Sequence, residues 1–180
     1  MTIEEAVEFW RTLLSEFCFP KGGNTEGEEA DTRERERSIA VTLAAALTPF
    51  CINLLHEQAK RPAFAVSANS EGAGKTLLLS FGMVALVGYV PTGSAPKDED
   101  EMRKVLDAAA HNAVPIVFFD NLKGHLSSGE LEAFISSSNR RYRLLGTTNY
   151  TEAPNVSTVY ITANCATYSP ICADVSWRSN

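Results

Sequence analysis

The stretch from Ala63 to Leu79, AFAVSANSEGAGKTLLL, constrains this chain more than any other. It opens on a short apolar run, Ala63-Phe64-Ala65-Val66, of the length of a buried strand. A polar, glycine-bearing turn from Asn69 to Gly74 follows, then Lys75-Thr76 and a second apolar run that reads as a helix from about Lys75 to Val87. Strand, loop closing on Gly-Lys-Thr, then helix is the order that a phosphate-binding loop requires. Backbone N–H groups of such a loop converge on phosphate oxygens, and the helix N-terminus adds a favourable dipole. The binding segment is then Asn69, Ser70, Glu71, Gly72, Ala73, Gly74, Lys75, Thr76 and Leu77. Lys75, expected in an exposed loop, would reach the β- and γ-phosphates, and Thr76 would offer its hydroxyl to Mg²⁺. Gly72 and Gly74 fit positions where φ must be positive. The usual spacing is G-x-x-x-x-G-K-[ST], and Asn69 stands where the first glycine belongs. Asn tolerates the left-handed region better than most residues, so the loop can still close.

A second element, Val114-Pro115-Ile116-Val117-Phe118-Phe119-Asp120, reads as a buried parallel strand whose final carboxylate emerges at the carboxyl edge of a sheet. Ligands of open α/β sheets bind at that edge. Opposite Thr76, Asp120 would hold Mg²⁺ through water. Asn121 follows, and an amide can orient a water molecule but cannot take its proton. The strand Val156 to Thr162 leads to Asn164, whose amide at the same edge would face a terminal phosphate.

The rest of the chain frames these elements. Its 180 residues suit one domain with a sizeable core, here divided into an N-terminal helical extension over 1–60 and an α/β core over 61–180. Residues 3 to 18 form an amphipathic helix with a capping box from Thr2 to Glu5. A second helix runs from about Arg33 towards His56, kinked or divided at Pro49. A helix over Lys97 to Ala110 and a short one over Ser128 to Ser136 follow, and the segment TTNYTEAPN reads as the tip of a hairpin. The net charge of -6 argues against a broadly basic, nucleic-acid-coating surface. What remains for nucleic acid is a local patch, Arg140, Arg141 and Arg143, with Tyr150 available to stack on a base; the other reading is that these arginines pair with acidic surface residues and Tyr150 packs against its own loop. No apolar span is long enough to cross a membrane, and four cysteines without paired spacing suit a reducing, cytoplasmic compartment.

The segments SANSEGAGKTLLL, VPIVFFDN, RYRLLGTT, VYITAN and ADVSWR together resemble the ATPase domains encoded by phages, prophages and mobile elements. Those domains belong to the AAA+ class, near the superfamily 3 and primase-associated helicases, and the resemblance covers about Leu47 to Arg178. It implies a three-layer P-loop NTPase fold that binds and hydrolyses ATP with Mg²⁺. The expected assembly is a homo-oligomer, a hexamer in the full-length protein, that moves or remodels DNA during replication of the element. By the same resemblance Asn164 is the sensor residue, and Arg178, four residues after Asp174, is the finger that a neighbouring subunit would receive. By the resemblance a small helical lid usually follows such a core; with Asn180 as the last residue the lid is expected to be absent here, as in an excised domain, a truncated gene or a minimal ATPase. Two other classes share the same motifs: a small-molecule phosphotransferase using Lys75, Thr76 and Asp120, and a nucleotide-dependent binding module without turnover.

Overall fold

The computed structural model describes residues 2–17, 19, 28–54, 59–68, 72–91, 93–143, 149–168 and 173–177. Its centre is a sheet of four parallel strands, β1 (Ala63–Ala68), β2 (Ile116–Leu126), β5 (Thr158–Tyr168) and β6 (Ala173–Trp177), in the order β2-β5-β1-β6. A parallel sheet needs apolar residues on both faces, and β1 supplies them in near-continuous succession. Successive side chains alternate between faces. Ala63, Ala65, Val117, Phe119, Val159 and Ile161 lie in one apolar layer, with α4 (Glu99–His111) and α5 (Gly129–Ser136). Phe64, Val66, Ile116, Phe118 and Tyr160 lie in the other, with α1 (Ile3–Ser15), α2 (Glu28–Leu47) and α3 (Lys75–Val87). The architecture is α/β, helices on both sides of a parallel sheet, and its layout is compatible with Rossmann-like folds.

The helices start where side chains satisfy their first N–H groups. Thr2 and Glu5 make the expected capping box, with Thr2 N–H to Glu5 Oε2 at 2.8 Å and Glu5 N–H to Thr2 Oγ1 at 3.2 Å. Asp98 caps α4 through Glu101 N–H, and Ser128 caps α5 through Leu131 N–H. The second helix starts at Glu28, ahead of the expected Arg33, and divides at Pro49 as expected: it stops at Leu47, and Pro49 separates it from a short 3-10 turn, Ile52–Leu54.

The N-terminal helices, read from sequence as an extension ahead of the core, contribute to the α3-side layer through Leu14 and Ala45. Tyr160 reaches through that layer: its ring stacks on Phe64 with centroids 5.8 Å apart, and its hydroxyl donates to Ala45 O at 2.6 Å. Burial pushes this phenol further above its ordinary pKa. Helix α2 crosses α3 at Gly82, where a Cβ would stand 2.8 Å from both Cα and O of Ala46. Backbone atoms cannot rotate out of the way, so the helices would have to separate. Gly82→Ala is therefore expected to destabilise the fold by about 1–3 kcal/mol despite its better helix propensity. Urea denaturation measures this, and a midpoint at or above the parent's would refute the close crossing.

Two strands lie outside the main sheet. β3 (Asn139–Arg143) and β4 (Tyr150–Pro154) pair antiparallel, Tyr142 opposite Thr151, beside α4 and α5. The segment read as a hairpin tip thus includes a strand, because Tyr150 to Pro154 continues the ladder with β3. Around Val90 to Ser94, read as a strand end and loop, no strand forms among the described residues, and Gly93 O accepts from Asp120 N–H at 2.9 Å.

Candidate functional site

Alternation along the strands carries the polar residues to one place. Asp120 follows Ile116 and Phe118 with period two, and Thr162 and Asn164 follow Tyr160. All three therefore lie on the α3 face, and the register sets Asn164 beside Ala68, the last residue of β1. There α3 begins. Gly74 precedes it in the left-handed region at φ 78°, with Gly72 at φ 76°, so the turn uses backbone that glycine adopts without strain. The first-turn N–H groups of a helix lack intrahelical acceptors, which makes this end attractive to anions.

A cleft of about 440 Å³ opens over this helix start, lined by Gly72, Ala73, Gly74, Lys75, Thr76, Leu77, Asp120, Asn121, Thr162 and Asn164. Of the sequence-derived candidates, Gly72 to Leu77, Asp120, Asn121 and Asn164 meet there. Asn69, Ser70, Glu71 and Arg178 lie outside the described residues. Lys75 departs from expectation: it is the first residue of α3 and only 7% exposed, rather than set in an exposed loop, because its side chain reaches to Asn164 on β5 instead of into solvent. Its Nζ donates to Asn164 Oδ1 at 2.5 Å.

Thr76 Oγ1 donates to Asp120 Oδ1 at 2.9 Å. Thr162 Oγ1 donates to the same carboxylate oxygen and accepts Asn121 N–H at 2.8 Å. Asn164 Nδ2 donates to Asn121 Oδ1 at 2.5 Å. The bonds close a ring: Lys75 to Asn164, Asn164 to Asn121, Asn121 to Thr162, Thr162 to Asp120, Asp120 to Thr76, which is covalently next to Lys75. Asp120 does not end its strand as expected. The pairing of β2 with β5 shifts register between Phe119 and Leu122, Asn121 takes φ 57°, and β2 resumes to Leu126. The irregularity is a bulge that re-aims the Asn121 side chain, and Asn is among the few non-glycine residues suited to that φ.

Thr162 is the site residue that reading by motif missed. The available signal was its place two residues before Asn164 on an apolar strand, which sets both side chains on one face.

The donor set suits Mg²⁺. It offers a hydroxyl and a carboxylate, hard oxygen donors beside a cleft, and Mg²⁺ is commonly held by one or two carboxylates together with substrate phosphates. Thr76 and Asp120 are the residues that would hold it.

In the basic patch Arg140 follows the second reading and pairs with acidic residues. Arg140, its side chain 11% exposed, donates from Nε to Asp107 Oδ1 at 2.8 Å and from Nη2 to Glu130 Oε2 at 2.6 Å. Burial pulls its pKa down, but the bonds to Glu130 and Asp107 outweigh that and hold it above the ordinary value. This guanidinium ties β3 to α4 and α5. The Arg141 guanidinium lies 4.8 Å from the centre of the Tyr150 ring, a cation–π contact.

Comparison with protein-family models and with curated proteins gives no match for this chain. Among the described residues no helix is long and apolar enough to cross a membrane.

Proposed function

We propose that this chain is a P-loop ATPase domain, cytoplasmic, binding ATP with Mg²⁺ at the cleft over α3 and working in a homo-oligomeric motor on DNA. The observation that carries the nucleotide reading is the convergence of Lys75, Thr76, Asp120 and Asn164 above the first turn of α3. On binding, the loop and first-turn N–H groups hold the phosphates, and Lys75 exchanges Asn164 Oδ1 for phosphate oxygens. Held by Thr76 and Asp120, Mg²⁺ would supply neutralisation of phosphate charge and polarisation of the γ-phosphoryl group. Asn164 and Asn121, already joined by a hydrogen bond, offer amide groups that orient an attacking water. The Asn121 amide cannot take the water's proton, and among the described cleft residues a phosphate oxygen would receive it.

The assignment to a DNA motor, with Arg178 serving a neighbouring subunit, rests on the resemblance to mobile-element AAA+ ATPases. The net charge of -6 confines DNA contact to local features, and Arg140 is already spent on Asp107 and Glu130. One specific observation favours a second reading. Asn121 is bonded on both its N–H and its Oδ1, an arrangement that suits a nucleotide-dependent binding module without turnover.

Turnover of ATP·Mg²⁺ with and without single-stranded DNA tests these readings. The expected result is turnover that single-stranded DNA accelerates. Acceleration by a small phosphoryl acceptor instead would identify a phosphotransferase, and tight ATP binding with no turnover would identify the module.

A further inference from the structure

We infer that Thr162 is a positioning residue that holds the Asp120 carboxylate and the bulge at Asn121 in place for metal and water, an inference that rests on the nucleotide·Mg²⁺ reading of the cleft. Among the described residues its hydroxyl is the one side-chain group bonded to both. It gives its proton to Asp120 Oδ1 and takes the Asn121 N–H on a lone pair. Thr162 is 1% exposed, so water does not readily replace either bond.

The ring of contacts separates those that a ligand must break from those it need not. Lys75 and Thr76 carry the groups that phosphate and Mg²⁺ would claim, so their bonds to Asn164 and Asp120 are exchangeable. Once Thr76 turns to the metal, Asp120 loses that donor. Among the described residues, Thr162 is then the side chain that keeps the carboxylate oriented. Through Asn121 N–H the same hydroxyl holds the left-handed backbone at φ 57°, and so fixes where the Asn121 amide stands. Outer-shell groups of this kind orient the ligands of a metal and tune its affinity.

A buried threonine in a strand needs no function, since its β-branched shape packs well there. Thr158, on the same strand, is such a case: it is fully buried, and among the described residues its Oγ1 has no hydrogen-bond partner. Thr162 differs in that both its bonds run into the cleft-lining residues.

The experiment is calorimetric titration of ATP into the full chain across a Mg²⁺ series and in EDTA, for the parent, Thr162→Val and Thr162→Ser. Valine preserves shape and removes the hydroxyl. The Mg²⁺ concentration that half-restores tight ATP binding should rise about 10–100-fold in Thr162→Val, while ATP affinity in EDTA stays within about 3-fold. Thr162→Ser, which keeps the hydroxyl, should bring the Mg²⁺ midpoint back to within about 3-fold of the parent. A parent-like midpoint in Thr162→Val, or equal losses in EDTA and in Mg²⁺, would overturn the positioning role while leaving the nucleotide reading intact. Failure of the parent to bind ATP at all would overturn both. Thr162→Ala, read on the same Mg²⁺ series, serves if the valine variant does not fold.

Discussion

Lys75→Ala is expected to lose ATP affinity by about 100-fold or more while the chain remains folded. A hydrogen bond to a charged partner contributes about 1.5–3 kcal/mol, and a lysine spanning two phosphates makes at least two. The first-turn N–H groups of α3 would remain, so some affinity for phosphate should survive. Because Lys75 is buried and bonded to Asn164 Oδ1, the substitution also removes a contact of the ligand-free fold. That loss should amount to about 1 kcal/mol, visible as a small drop in Tm. Calorimetry on the variant measures the affinity, and thermal unfolding measures the fold. An ATP affinity equal to the parent's, in a variant with a cooperative unfolding transition, would remove Lys75 from any phosphate site and with it the reading of the loop.

The site was legible in the sequence to the extent that its determinants are local. Gly74-Lys75-Thr76 between an apolar run and a helix names its own geometry, and α3 spans Lys75–Val87 as the pattern predicts. Caps are equally local, and Thr2 acts as one in the capping box that its spacing to Glu5 predicts. Long-range pairing was not legible. Nothing near Asp120 reveals that β5 lies between it and β1, and that insertion is what brings Asn164 to both Lys75 and Asn121. The extension of β2 beyond Asp120 depends on the bulge at Asn121, whose φ is held by a hydroxyl on another strand. The arginine cluster was ambiguous for a related reason. Arg140 looks available for nucleic acid until the fold brings Asp107 and Glu130, from two different helices, onto its guanidinium. Local patterns state what a residue can do, and tertiary partners decide how much of that capacity is already used.

Asp120→Asn should uncouple ATP binding from Mg²⁺. The substitution is nearly isosteric, and the amide oxygen can still accept from Thr76 and Thr162, so the ring need not collapse. What disappears is a negative charge beside the hydroxyl that would bind the metal. Affinity for ATP without Mg²⁺ should therefore stay within about 3-fold of the parent, or improve, since a carboxylate facing triphosphate repels it. The Mg²⁺ midpoint should rise by about 100-fold or more, the upper end of what losing a metal-supporting group costs. The contrast with Lys75→Ala is the informative part, because that variant should lose affinity with and without the metal. Combining Asp120→Asn with Thr162→Val sharpens the test further. If Thr162 acts through Asp120, the double variant should need no more Mg²⁺ than Asp120→Asn alone, a non-additive result that two independent sites would not produce. Mg²⁺ titrations of ATP binding on the single and double variants decide it. An Asp120→Asn chain with the parent's Mg²⁺ midpoint would return Asp120 to a structural role at the bulge of β2.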